Sequence, residues 1–144
     1  MTTVRSVLET KGHEVWSISP TAYVIEALKV MSEKNVGALL VMEESKLVGI
    51  FSERDYARKI VLKGETSHTT RLRDVMTTNI VFIRPEQSIE ECMALMTSKH
   101  IRHLPVLDNG ALIGLISIGD IVKAIISEQE YTIKQLENYI TGTR

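Results

Sequence analysis

The sequence predicts a mixed α/β fold built from two β-α-β-β-α units, and three observations carry that prediction. The chain repeats itself: Pro20 and Pro85, Met31 and Met96, Val41 and Val106, Leu47 and Leu112, Gly49 and Gly114, Ser52 and Ser117, and Asp55 and Asp120 all stand 65 residues apart. The register holds without a gap from about Val15/Ile80 to Ile60/Ile125, which marks an internal repeat. Within each copy the apolar residues alternate between helical spacing and short continuous runs. Each copy then closes on the same fragment, a glycine-bearing apolar strand followed by Ser-x-x-Asp. Two such half-units can pack about a pseudo-twofold axis as small mixed sheets flanked by helices. Clefts between the halves are then the expected place for a small ligand.

In the first copy, Val15 to Ser19 reads as a short strand closed by Pro20. Val24, Ala27, Leu28 and Met31 recur at helical spacing. The apolar run from Ala38 to Met42, a polar break at Glu43 to Lys46 and the run from Leu47 to Phe51 read as a strand pair. Tyr56, Ala57, Ile60 and Val61 mark a second helix, which Gly64 ends. The second copy repeats the order: a strand from Ile80 to Ile83, a helix through Ile89, Cys92, Met93 and Met96, and strands at Leu104 to Leu107 and Ala111 to Ile116. Asp108-Asn109-Gly110 between those strands is a hairpin signal. Ile121, Val122, Ile125 and Ile126 mark the last repeated helix. The strand–helix–strand crossover implies a right-handed parallel pairing, and each hairpin adds an antiparallel strand.

Two segments lie outside the repeat. Val4-Arg5-Ser6-Val7-Leu8 resembles Leu72-Arg73-Asp74-Val75-Met76 at an offset of 68, so it reads as the lead-in to the first copy. The tail from Ser127 to Thr141 carries Ile133, Leu136 and Ile140 on one face, as an amphipathic helix that packs on its own domain or on a second chain. The expected organisation is residues 1–66 for the first repeat with its lead-in, 67–127 for the second repeat and 128–144 for the C-terminal helix.

At 144 residues this is one domain or a tight pair. A single copy of roughly 60 residues is marginal alone because it buries too little surface. The net charge of −1 and an aromatic content of 5% leave no general footprint for nucleic acid. The local basic stretch from Arg54 to Arg73 reads as a solvated helix face or an anion-attracting rim. The single cysteine, Cys92, falls on an apolar helix stripe and reads as a buried thiol. It allows no disulfide within one chain, which fits a reducing compartment; cytoplasm is the default expectation. The N-terminal stretch has no apolar signal region, and no apolar run approaches a membrane span. Enzymatic motifs are missing: there is no P-loop, no dinucleotide fingerprint and no nucleophile elbow. His13 and His68 read as solvated, and His100 with His103 has metal-ligand spacing only on a continuous helix. No catalytic residue and no metal are expected.

The repeat, its Gly-apolar-apolar-Ser-x-x-Asp ending and Ile101-Arg102-His103-Leu104-Pro105-Val106 together resemble a tandem pair of cystathionine-β-synthase (CBS) domains. Phe51-Ser52-Glu53-Arg54-Asp55-Tyr56-Ala57-Arg58-Lys59 and Gly114-Leu115-Ile116-Ser117-Ile118-Gly119-Asp120-Ile121-Val122 resemble small stand-alone bacterial pairs and their plant organellar relatives. The resemblance implies a non-catalytic regulatory sensor of adenosine-containing ligands: AMP or another adenine nucleotide such as ADP or ATP, NAD(H), or S-adenosylmethionine, with no metal required. It implies a homodimer. The expected partner is a client protein that reads the altered surface; no membrane partner is expected, and a nucleic-acid partner through the basic segment from Arg54 to Arg73 is disfavoured by the balanced charge and low aromatic content. The competing expectation is a protein-interaction scaffold with vestigial clefts.

The residue chemistry suits such a ligand. Ser52 and Ser117 stand where a strand ends and a helix begins, a position that favours an anion. Asp55 and Asp120 follow three residues on, and a carboxylate's two acceptor oxygens match the adjacent hydroxyls of a ribose. The same spacing is also that of an ordinary capping box, and both roles can coexist. The copies differ: Arg102-His103 corresponds to Gly37-Ala38, and Gly119 to Arg54. Two unequal sites are therefore expected. Arg102 and His103 take phosphate in the second, with Pro105 in the same motif. Gly37 and Ala38 leave room for a bulkier ligand, such as the nicotinamide half of NAD, in the first. Family usage adds Thr77, Asn79 and Ile80 at the opening of the second copy, where the stretch contacts base and phosphate. Their counterparts are Gly12, Glu14 and Val15, of which Val15 carries over best because a backbone contact does not depend on its side chain.

Overall fold

The computed structural model describes residues 2–142. In chain order the elements are α1 (Val4–Lys11), β1 (Ser17–Ile18), α2 (Val24–Lys34), β2 (Ala38–Glu43), β3 (Lys46–Ser52) and α3 (Glu53–Asp55). The last runs into a π-helical stretch, Tyr56–Val61. A 3-10 turn at Leu72–Asp74 precedes α4 (Ile89–Lys99), β4 (His103–Asp108), β5 (Ala111–Ser117) and α5 (Ile118–Thr141). The chain is a mixed α/β protein of small sheets flanked by helices.

The chain divides into two compact units, Val15–Val81 and Met1–Glu14 with Phe82–Arg144. In the first, β1 runs parallel to β2 and β2 antiparallel to β3, with Ala38 opposite Ser52 and Glu43 opposite Lys46. In the second, β4 and β5 pair in the same register, His103 opposite Ser117 and Asp108 opposite Ala111. Both hairpins turn through two residues of positive φ: Glu44 (49°) and Ser45 (66°), then Asn109 (52°) and Gly110 (82°). This is the twist that short hairpins prefer. Both ladders slip by one residue at equivalent points, between Val41 and Met42 and between Val106 and Leu107.

The expected strand from Ile80 to Ile83 shrinks to one parallel bridge, Ile83 to Val106. The reason lies in Pro105. In the first unit Leu40 donates its N–H to the Trp16 carbonyl at 3.2 Å. Pro105 stands at the position equivalent to Leu40 and has no N–H to donate, so the ladder stops one rung short.

Each unit has its own core from matching positions. Val24, Ala27, Met31, Leu39, Val41, Phe51 and Leu72 pack in the first. Ile89, Cys92, Met96, Leu104, Val106 and Ile116 are buried in the second. Cys92 fills the position of Ala27, and burial pushes its thiol up to about 11. The helices α2 and α4 both stop at a left-handed residue, Asn35 and His100.

The lead-ins part from the sequence reading. Leu72 and Arg73 donate their N–H groups to the carbonyls of Ala22 and Pro20 in the first unit, both at 2.9 Å. Val4 and Arg5 do the same to Gln87 and Pro85, at 2.8 and 2.9 Å, in the second. Residues 1–14 therefore belong to the unit of the second repeat, and the segment before the second repeat belongs to the unit of the first. The two glycines of the motif accept them. A Cβ on Gly114 meets Leu8 Cδ2 at 2.6 Å, and one on Gly49 meets Met76 Sδ at 2.6 Å. The C-terminal segment is not a separate helix either: α5 runs unbroken from the second Ser-x-x-Asp to Thr141. Residues 143 and 144 lie outside the described part.

Candidate functional site

Both Ser-x-x-Asp motifs sit at a strand-to-helix junction and form the same reciprocal capping box. Asp55 N–H donates to Ser52 Oγ at 3.2 Å, and Ser52 N–H and Oγ–H donate back to Asp55 Oδ2 at 2.9 and 3.1 Å. Asp120 N–H donates to Ser117 Oγ at 3.3 Å, and Ser117 returns bonds to Asp120 Oδ2 at 2.8 and 3.1 Å. The first helical N–H groups are also used: Glu53 N–H donates to the Gly37 carbonyl at 3.1 Å and Ile118 N–H to the Arg102 carbonyl at 2.8 Å. The helix start thus holds fewer open donors than its sequence suggests.

The carboxylates differ beyond the box. Asp55, 9% exposed, has its other oxygen filled: Thr77 Oγ1 donates to Oδ1 at 3.1 Å, and Lys59 Nζ lies 3.1 Å from it. Lys59 also donates to the Val75 carbonyl at 2.8 Å. Asp120 instead receives Lys11 Nζ on Oδ2 at 2.7 Å, and Lys11 also donates to the Leu115 carbonyl at 2.7 Å. Among the described residues every bond to the Asp120 carboxylate falls on Oδ2, and Oδ1 carries none. Burial pushes the Asp120 carboxyl up, but the bonds from Lys11 and Ser117 and the lysine charge outweigh it and hold it below its usual range.

Leu115 and Ile50 are equivalent positions. The Ile50 carbonyl takes the Thr77 backbone N–H at 2.9 Å, where the Leu115 carbonyl takes the Lys11 ammonium. The same pair of acceptors, a strand carbonyl and an aspartate, is therefore served in both units by the lead-in, through different chemistry.

The other expected residues fall as follows. His103 opens β4 opposite Ser117, and Ala38 opens β2 opposite Ser52. Burial pushes the His103 imidazole below its ordinary value, with Asp120 pulling the other way and Lys11 and Arg102 adding to the fall. At neutral pH it is an uncharged hydrogen-bonding group beside the serine. Arg102 is exposed, Arg54 is half-buried at the second helical position, and Ala38 is 1% exposed. Pro105 is buried in β4. Thr77, expected at the second copy, bonds to Asp55 of the first. Asn79 and Ile80 fall in that same unit, as does Val15. Asn79 is exposed, and Ile80 N–H donates to the Thr78 carbonyl at 3.0 Å.

The sequence reading did not find Lys11. It follows Leu8 by three residues, so one face of α1 presents both. Lys59 stands four residues after Asp55, a spacing that signals an ion pair on a helix. His13, expected to be solvated, places Nδ1 2.8 Å from the Ile113 carbonyl while remaining exposed. Among the described residues no group of three or more His, Cys, Asp or Glu is placed to hold a metal, and no helix is long and apolar enough to cross a membrane.

Residues 4–62 and 72–127 each match the CBS domain family. The chain belongs to the CBS-domain family. It is 38% identical over 151 aligned residues to the "CBS domain-containing protein CBSX3, mitochondrial" of Arabidopsis thaliana, covering 98% of this chain and 73% of that one. A solved structure from Burkholderia ambifaria, a putative signal-transduction protein with CBS domains, superposes with a TM-score of 0.86 at 48% identity, over 89% of this chain and 96% of the other. The CBS domain pair of protein MJ0100, in complex with 5′-methylthioadenosine and S-adenosyl-L-methionine, shares the fold at a TM-score of 0.79 and 22% identity, over 89% and 98% of the chains.

Proposed function

We propose that this chain is a non-catalytic sensor that binds adenosine-containing ligands at its two Ser-x-x-Asp junctions. The observation that carries the reading is the unbonded Oδ1 of Asp120, in a box that already orients the carboxylate, with Lys11 on its other oxygen, His103 opposite Ser117 and Arg102 next to His103 in the chain. A ribose hydroxyl donates to that oxygen. The cationic groups and the neutral imidazole face the phosphate. The MJ0100 domain pair holds adenosine ligands on the same fold, which supports the ligand class. In the finer assignment AMP or another adenine nucleotide takes the Asp120 site. NAD(H) takes the Asp55 site, where Gly37 and Ala38 are small. Pro105 belongs to the Asp120 site, and Asn79, Ile80 and Val15 to the Asp55 site, whose carboxylate Thr77 already occupies. Binding favours one arrangement of the chain in proportion to its differential affinity, and a client protein reads the change. A single buried thiol suits a reducing compartment such as the cytoplasm.

The chain acts as a homodimer in this reading, and α5 supplies a surface for it. Val122, Ile126, Ile133, Leu136 and Ile140 follow coiled-coil spacing and range from 44% to 81% exposed. Together they present on the order of 500 Å² of apolar surface, the size of the largest patch on a typical monomer and often a functional one, and twice that reaches about the 1,000 Å² of a specific interface. Flanking Glu130 and Glu137 disfavour an anionic membrane.

The test is a thermal-shift screen with AMP, ADP, ATP, NAD, NADH and S-adenosylmethionine, followed by calorimetry. Concentration-dependent stabilisation by one of these compounds supports the sensor. No shift and no heat with any of them overturns it in favour of an interaction scaffold. Sedimentation of Ile133→Glu against the parent chain tests the dimer: an unchanged mass excludes α5 as its seam.

A further inference from the structure

We infer that the two sites differ in kind: the Asp120 site is ready for ligand, whereas the Asp55 site is held shut by a latch made of Lys59 and Thr77. The inference rests on the adenosine reading above. A carboxylate offers about four acceptor directions, and Asp55 has all of them in use. Ser52 fills Oδ2 twice, and Thr77 Oγ1 and Lys59 Nζ fill Oδ1 at 3.1 Å each. A ribose reaches Oδ1 only by displacing one of the two. Asp120 needs no such exchange, because Lys11 shares Oδ2 with Ser117.

The latch also ties down chain. Lys59 Nζ donates to the Val75 carbonyl at 2.8 Å, and Thr77 carries both the side-chain bond to Asp55 and the backbone bonds to Ile50, at 2.9 and 3.0 Å. Displacing Lys59 from Asp55 therefore loosens the segment from Leu72 to Thr77, the lead-in docked on this unit. Occupancy of the first site is converted into release of that segment. The π-helical winding of Tyr56–Val61 bears directly on the latch, since it sets where Lys59 stands relative to Asp55.

The experiment compares the full chain with Lys59→Met and Thr77→Val. Amide hydrogen exchange is read on peptides covering Leu72 to Thr77, and adenosine, which has no phosphate, is titrated by calorimetry in an Asp120→Ala background. A latch that keeps most molecules closed lowers the apparent affinity by the open fraction. Its removal tightens adenosine binding about fivefold and speeds exchange in that segment without ligand. Thr77→Val does the same more weakly. Unchanged exchange in both variants overturns the latch whether or not adenosine binds. Faster exchange with unchanged or weaker adenosine binding overturns the gating and leaves Lys59 a structural tie. If neither the parent chain nor the variants binds adenosine or AMP, the adenosine reading falls and the gating with it, while faster exchange still records the tie.

Discussion

Gly114→Ala tests the docking of α1 on the second repeat. The added Cβ stands 2.6 Å from Leu8 Cδ2, 3.1 Å from Cδ1 and 3.4 Å from Cγ. Carbon atoms prefer about 3.5–4.0 Å, so Leu8 must retreat by about 1 Å. Leu8 is 1% exposed and has nowhere to go without shifting its neighbours, which costs about 1–3 kcal/mol. Leu8→Ala alone costs about 2–5 kcal/mol through lost burial and the cavity it leaves. In the double variant the new methyl enters that cavity, so Gly114→Ala becomes nearly neutral and the pair couples by about 1–2 kcal/mol. Urea unfolding followed by far-ultraviolet circular dichroism on the four proteins measures the cycle. Additivity within about 0.5 kcal/mol would falsify the contact, and with it the placement of the N-terminal lead-in. The equivalent cycle at Gly49 and Met76 couples less completely. There the added Cβ also meets the Thr77 carbonyl oxygen at 3.1 Å, and that carbonyl is held by Ile50 N–H at 3.0 Å and cannot retreat.

The remaining predictions concern the site. Asp120→Ala weakens AMP binding by about 10–100-fold, the loss of charge-assisted hydrogen bonds worth about 1.5–3 kcal/mol; unchanged affinity in a folded protein removes Asp120 from the ligand site. Lys11→Met lowers stability at neutral pH. Because the Asp120 carboxyl is depressed in the folded state, its contribution is present above the unfolded value and is lost as pH falls through the folded one. The gap between the parent chain and Lys11→Met therefore closes below about pH 4; a gap that is the same at pH 7 and pH 3 refutes the pairing. The His103 imidazole is likewise depressed, so its contribution is present above about 6.5, the ordinary histidine value, and falls away as pH drops through the folded value. Its proton resonances titrate with a midpoint below 6.5 in the free protein, and AMP moves that midpoint upward if phosphate lies beside the ring. A midpoint at or above the free value of histidine contradicts its burial.

Much of each unit was legible because it depends on short-range chemistry. The capping boxes need only a serine and an aspartate three residues apart. The hairpins need two residues that tolerate positive φ, and even Glu44 and Ser45 suffice when the flanking strands are apolar. Cys92 was placed in the core by its helical spacing with Met96. The shortened pairing at Ile83 was also written in the sequence, at Pro105, and needed only the rung it interrupts to be named. Lys11 was not legible in the same way, since its partner Asp120 is 109 residues distant. A lysine at the end of an amphipathic helix has no local mark that separates an ion pair from a solvated charge.

The sequence by itself determined the repeat, its strand and helix order, and the family, because the 65-residue offset ties every element of one copy to its counterpart. The tertiary structure alone decided which copy each lead-in serves. Both repeats offer the same docking edge, the carbonyls of Pro20 and Ala22 in one and of Pro85 and Gln87 in the other. Both also offer a strand glycine with room for one large side chain. Two equivalent edges and two similar lead-ins leave the local sequence indifferent between the pairings. The folded chain chose the exchanged one, and that choice puts Thr77 on Asp55 and Lys11 on Asp120, so the two Ser-x-x-Asp junctions are bonded differently.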